Sequence, residues 1–134
     1  MKQKTKNPVA AVACPCGGGE YTACCARFHD GAVPDTAEQL MRARYSAYVL
    51  GLMDFVRDTW HTGTSPPSAE LTHDAATRWL GLEVKRHATG NDEATVEFVA
   101  RYKTEGRAHR LHEVSRFVRE DGHWFYVDGS FPER

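Results

Sequence analysis

Apolar and polar side chains alternate most regularly between Arg110 and Gly129, where RLHEVSRFVRE and HWFYVDG flank the pair Asp121-Gly122. A period of two predicts strands, and an Asp-Gly pair between them predicts a two-residue hairpin turn. In that register Glu120 faces His123, Phe117 faces Tyr126 and Ser115 faces Asp128. Glu113, Ser115, Phe117, Trp124, Tyr126 and Asp128 then share one face, while Val114, Val118, Phe125 and Val127 share the other. The first face mixes aromatic rings with carboxylates, the raw material of a ligand or proton-transfer pocket. The second is apolar and predicts either a homodimer contact or coverage by the loop around Pro66-Pro67.

Strand patterns also run over Trp79–Ala88, Glu93–Lys103 and Ala108–Glu120, with Gly90-Asn91-Asp92 and Glu105-Gly106 as turns. In the middle one, Val96, Phe98, Ala100 and Tyr102 alternate with Thr95, Glu97, Val99 and Arg101, as in a half-buried antiparallel strand. Before Trp79 the period lengthens. Met41, Tyr45, Tyr48, Val49 and Leu52 recur at helical spacing behind the capping-box sequence Thr36-x-x-Gln39, and Gly51 is the stop. Asp54–Trp60 reads as a second, short helix with Val56 and Trp60 on one side. His61–Thr72 reads as a loop crossing the sheet, and a helical turn is predicted near His73–Arg78. Helices followed by an antiparallel meander predict an α+β domain over residues 34–134, with helices packed on a curved antiparallel sheet.

A chain of 134 residues holds one such domain and a small appendage. Its 17 Lys and Arg against 18 Asp and Glu leave a net charge of −1, which exerts no long-range pull on nucleic acid or acidic membranes. Contact with RNA or the ribosome would have to use Lys2, Lys4 and Lys6, in a segment (residues 1–13) that reads as a flexible tail. The apolar run Pro8–Ala13 is shorter than a secretory core, and no stretch is long enough to span a bilayer, so a cytoplasmic location is expected.

All four cysteines fall in residues 14–25: Cys14, Cys16, Cys24 and Cys25. Clustered cysteines in a cytoplasmic protein point to metal ligation more than to disulfides. A Cys-x-Cys pair, a glycine-rich turn and a second pair can close four thiolates around one tetrahedral ion, which predicts a structural Zn2+. Gly17, Gly18 and Gly19 would let backbone N–H groups aim at the sulfurs, and Arg27 would offset their charge. Two disulfides linking the two pairs, or His29 in place of Cys25, are the alternatives.

Candidates for proton transfer are Glu113, Asp128 and His61, with Tyr45, Tyr48, Trp60, Ser115, Phe117, Trp124 and Tyr126 as the wall of a small-molecule pocket. Each has a plain structural alternative: a cross-strand ion pair with Arg101 for Glu113, turn capping beside Gly129 for Asp128, core packing for the aromatics. His112 points away from Glu113. No serine triad, phosphate-cradling loop or dinucleotide fingerprint is present.

Residues 14–25 resemble the SEC-C zinc motif, with Tyr21 as its aromatic. That resemblance implies a knuckle over residues 14–30 that holds a structural zinc, presents a surface to a protein partner and performs no catalysis. LMRARYSAYV (Leu40–Val49), DTWH (Asp58–His61) and LHEVSRFVREDGHWFYVDG are similar to the YchJ-type family of bacterial proteins, across nearly the whole chain. Membership implies an N-terminal SEC-C knuckle followed by a nuclear transport factor two-like, or cystatin-like, cone. The function implied is that of a zinc-binding protein whose knuckle docks on a protein partner and whose cone offers a small-ligand pocket or a dimer surface. The alternative is an isomerase, dehydratase or hydrolase type of enzyme using a pocket carboxylate.

Overall fold

The computed structural model describes residues 12–132; the Lys2–Lys6 tail and most of the Pro8–Ala13 run lie outside them. Four strands, β1 Thr77–Gly90, β2 Glu93–Thr104, β3 Arg107–Glu120 and β4 His123–Ser130, form one antiparallel sheet in sequence order. The hairpin turns carry the backbone their residues favour: Asp121 and Gly122 have φ of 52° and 80°, Glu105 and Gly106 of 53° and 78°. Positive φ at both central residues matches the right-handed twist of the flanking strands. The first turn is tighter than the sequence suggests, since Gly90 already pairs with Glu93.

Three helices lie on one face: α1 Cys25–His29, α2 Ala37–Leu50 and α3 Met53–Asp58. The start of α2 is set by a capping box in which the Thr36 hydroxyl accepts from Gln39 N at 3.1 Å and the Gln39 side chain accepts from Thr36 N at 3.3 Å. Gly51 ends the helix in the left-handed conformation. Leu40, Met41 and Tyr45 of α2 meet Val96, Phe98 and Phe117 of the sheet in one continuous core. This is the expected α+β architecture.

Two local expectations are corrected. No helical turn forms at His73–Arg78; the single 3-10 turn of that loop is Ser68–Glu70, and Asp74 instead accepts from Ala76 N at 3.0 Å and Thr77 Oγ1 at 2.8 Å. A short acidic side chain that binds its own downstream backbone competes with helix formation. The second correction concerns the hairpin. Phe117 faces Tyr126 as expected, but the register then shifts so that Arg116 faces Asp128 and Ser115 faces Gly129. Val127 is the extra residue of a bulge, and everything after it changes face.

The segment after α3 runs along the free edge of β4. His61 N donates to Tyr126 O at 2.7 Å, Tyr126 N to Thr59 O at 2.9 Å and Thr64 Oγ1 to Val127 O at 2.6 Å. Val114, Val118, Phe125 and Val127 are half-buried. Among the described residues no helix is long and apolar enough to cross a membrane.

Candidate functional site

Two sites flank α2. On one side lies the cysteine segment, closed as a small loop by Tyr21 N donating to Val12 O at 2.9 Å and Cys14 N to Gly19 O at 2.7 Å. Its four Sγ atoms lie within 4.8 Å of one another, and Cys14, Cys16 and Cys25 are buried. All four thiols are free. A tetrahedral thiolate centre with metal–sulfur bonds of about 2.3 Å places its sulfurs about 3.8 Å apart; Cys16 Sγ is 3.5 Å from Cys24 Sγ, which is 4.0 Å from Cys25 Sγ. The donor set therefore fits a metal ion.

The protons are shared unequally. Cys16 is pulled down to about 5, chiefly by a hydrogen bond from Cys25, and a backbone N–H of Gly18 adds to the effect. Cys24 is pushed up to about 11 by burial and then by its bond to Cys16. Cys25 moves up further, mainly because it donates to Cys16. Thiolates crowded this closely ionise together only beside a cation. Arg42 of α2 reaches this cluster, with Nη1 donating to Cys16 O at 3.1 Å. Arg27, expected in that role, instead donates to Cys24 O at 2.9 Å and lies over the Phe28 ring.

His29 is not available as a fourth ligand. Its Nδ1 is 2.6 Å from the Tyr21 hydroxyl and its Nε2 is 2.9 Å from Ala43 O. A carbonyl only accepts, so Nε2 carries the proton and Nδ1 accepts from Tyr21. The ring thereby ties the knuckle to α2, as does the 3.5 Å contact of Cys14 Sγ with Ser46 Oγ. Small residues on this side of α2, Ala43 and Ser46, let the two backbones approach.

On the other side of α2 lies a cavity of about 180 Å³. Met41, Arg44, Tyr45 and Tyr48 line it from the helix and Trp60 from the segment after α3. The sheet contributes Trp79, Phe98, Glu113, Ser115, Phe117 and Tyr126 among others. Glu113 is buried in this wall, and its Oε2 accepts from Ser115 Oγ at 2.8 Å and from Tyr126 OH at 2.9 Å. Burial, then the charge of Glu113, pushes the Tyr126 phenol up. Arg44 is also buried: Nη1 donates to Val56 O and to Thr59 Oγ1, both at 2.8 Å, and the guanidinium lies over the rings of Tyr126 (4.5 Å) and Trp60 (5.1 Å). Its desolvation pulls its pKa down.

Of the candidates read from sequence, Tyr45, Tyr48, Trp60, Glu113, Ser115, Phe117 and Tyr126 come together here. Three do not. The bulge turns Asp128 to the outer face, where Arg116 grips it through two hydrogen bonds of 2.8 and 2.9 Å. His61 lies at the edge of the sheet, 2.9 Å from Glu120 and edge-on to Phe125. Trp124 is buried outside the cavity, donating to Asp35 O at 3.2 Å beneath Arg119.

The family model for the YchJ middle NTF2-like domain matches residues 36–129. The chain belongs to the YchJ family. The UPF0225 proteins of Cupriavidus metallidurans and Ralstonia nicotianae are 56% and 60% identical to it, the matches covering 99% and 96% of this chain and 99% and 98% of the relatives. Solved structures of SEC-C motif containing proteins from Rhodopseudomonas palustris and Psychrobacter arcticus superpose with TM-scores of 0.78 at 28% and 29% identity. They match 91% and 94% of this chain, and 100% and 86% of the solved chains.

Besides the apolar lining residues Met41, Trp79, Phe98, Ala100 and Leu111 of this YchJ-family cavity, the sequence candidates omitted Arg44 in the cavity wall and Gly129, which lies against Glu113 behind that wall. Arg44 shares the helical face of Met41, Tyr45 and Tyr48, and a charge on an apolar face was the signal. Gly129 lies inside a strand, where a missing side chain often marks a close approach.

Proposed function

We propose that this protein holds one structural zinc ion through Cys14, Cys16, Cys24 and Cys25, and that its cone domain binds a small molecule between α2 and the sheet. The observation behind the first part is the gathering of four free thiols within 4.8 Å, three of them buried. Four soft sulfur donors in tetrahedral grouping favour zinc over harder ions. The bound ion supplies a fixed positive charge that holds all four cysteines ionised, while Gly18 and Arg42 offset the surplus negative charge. Its role is to staple residues 14–30 against α2. The exposed loop Gly17–Glu20 is the surface through which the knuckle would dock on a protein partner, in a cytoplasm that keeps the thiols reduced.

For the cavity, binding is favoured over catalysis. The Glu113 carboxylate faces an internal space, yet two hydrogen bonds from Ser115 and Tyr126 hold it as part of the wall. Metal analysis by mass spectrometry, on protein purified without added zinc, tests the centre. One zinc per chain is expected; metal-free protein with free or paired thiols would reject it.

A further inference from the structure

We infer that the β2–β3 end of the sheet binds single-stranded nucleic acid, with phosphates on Arg78, Arg101, Lys103 and Arg107 and a base stacked on His109. In the proposed cytoplasmic setting that strand is RNA.

Charge comes first. The net charge of −1 conceals a local imbalance, since residues 101–110, RYKTEGRAHR, hold four Lys and Arg against one acid, Glu105. Pairing with β1 adds to it: Arg78 stands directly opposite Lys103, and Arg101 opposite Arg110. Strand alternation puts these four on the outer face, and all are exposed. Like charges directly opposite one another destabilise a sheet. Further along β1 the cations are matched, Lys85 with Glu83 at 3.3 Å and Arg86 with Glu97 at 2.9 Å. Arg78, Arg101, Lys103 and Arg107 form no ion pair with a described residue. Surface cations often guard a sheet edge, but β2 and β3 are the inner strands of this sheet. Such a concentrated cationic end fits a polyanion, and contact with RNA then does not depend on Lys2, Lys4 and Lys6.

The rings select among polyanions. On the inner face of the same end, Trp79, Tyr102 and His109 stand opposite one another across three strands. Ring centroids are 5.2 Å apart for Trp79 and Tyr102 and 5.0 Å for Tyr102 and His109, the second pair stacked with planes 18° apart. His109 is exposed, so the row ends on a solvent-facing ring. Nucleobases stack on such rings, whereas a run of acidic side chains or a lipid headgroup has no ring to continue the row. Arg107, two residues before His109 on the same face, sets a cation beside the stack. Residues 105–110 are exposed throughout, and the thickness of one hairpin separates His109 from Arg101 and Lys103. A flexible single strand can round that tip; a duplex, stiff over about 150 base pairs, cannot.

The test is fluorescence anisotropy of a labelled uridylate decamer on the intact chain over a range of salt. The logarithm of the binding constant should fall against that of salt with a slope of about −3, roughly 0.7 for each of four phosphates. Arg101→Gln and Lys103→Gln should each make the slope shallower by about 0.7. His109→Ala should weaken binding about fivefold or more, the lower end of what one stacked base is worth, and His109→Phe should restore it. All three positions are exposed, so these variants leave the core untouched. A glutamate peptide of equal charge should compete at least about tenfold less well, because it brings no base to stack. Equal competition by that peptide or by an RNA duplex of the same length would overturn the inference, as would native affinity in His109→Ala. Absence of binding at about 50 mM salt would overturn it too. So would a slope reduced by Lys2→Gln, Lys4→Gln and Lys6→Gln but not by the Arg101 and Lys103 variants, which would assign the contact to the N-terminal lysines.

Discussion

The Glu113 carboxylate fills the space where a side chain on Gly129 would begin: a β-carbon there would stand 2.6 Å from Cδ and 2.8 Å from Cγ of Glu113. The bulge at Val127 is what turns Gly129 toward this wall, opposite Ser115. Gly129→Ala should therefore expel the carboxylate and break its bonds to Ser115 and Tyr126. A stability loss of about 2 kcal/mol is expected in urea denaturation. Ser115→Ala, which removes one donor and adds no bulk, should cost less. Equal losses from the two variants would show that the close approach is not what matters.

Arg44 is expected to be structural as well as part of the cavity wall. Arg44→Leu leaves Val56 O and Thr59 Oγ1 without their donor and removes the cation over Trp60 and Tyr126. A loss of about 2–3 kcal/mol should follow. Arg44→Lys should recover only part of it, because an ammonium seated on the two acceptors lacks the planar guanidinium that lies over the Trp60 and Tyr126 rings. Denaturation midpoints of the three proteins provide the check.

Gly18 lies against the sulfurs: a β-carbon would stand 3.0 Å from Cys24 Sγ and 3.3 Å from Cys16 Sγ. Gly18→Ala should push the thiolates apart and weaken metal retention by about 10- to 100-fold, the range for changes just outside the ligand set. Competition with a chromophoric chelator measures it. An unchanged affinity would show that the loop relaxes freely.

Metal removal should loosen more than the knuckle. Cys14, Cys16, Cys25 and Phe28 share a core with Leu40 and Met41, and His29 binds the Ala43 carbonyl. Chelation is expected to strip hydrogen-exchange protection from Cys14–His29 and from the amides of α2 near Ala43 and Ser46, while β2 and β3 stay protected. Loss of protection throughout β2 and β3 would make the centre a condition for the whole core.

Acid should destabilise the outer face. A hydrogen bond from His112, then the charge of Arg86, holds the Glu97 carboxyl below its ordinary range, and Arg116 does the same for Asp128. Both folded pKa values lie below the unfolded ones. The stability they add is thus complete above the unfolded carboxylate range, about pH 4, and is lost as pH falls through the folded values. Both pairs touch solvent, so the effect is small for each. Glu97→Gln with Asp128→Asn should flatten the fall of the denaturation midpoint between pH 5 and pH 3, both values lying near the carboxylate range of roughly 4. An unaltered slope would assign acid sensitivity elsewhere.

Sequence alone determined the hairpin at Asp121-Gly122, the capped helix from Ala37, the four-strand meander and the cysteine set. Each rests on residues a few positions apart: turn dihedrals, a Thr-x-x-Gln box, strand alternation, clustered thiols. What only the tertiary structure decided depends on partners distant in the chain. Asp128 left the cavity because one extra residue in β4 changed its face, a shift consistent with the room Glu113 needs beside Gly129. His29 was withdrawn from the ligand set by Tyr21 and by a carbonyl of α2, and His61 was drawn to the sheet edge by Glu120. Arg44 became a cavity residue through acceptors on α3 and Thr59 and through rings on two other segments. A buried polar group takes its role from whichever groups replace its water, and those are brought together only when the layers pack.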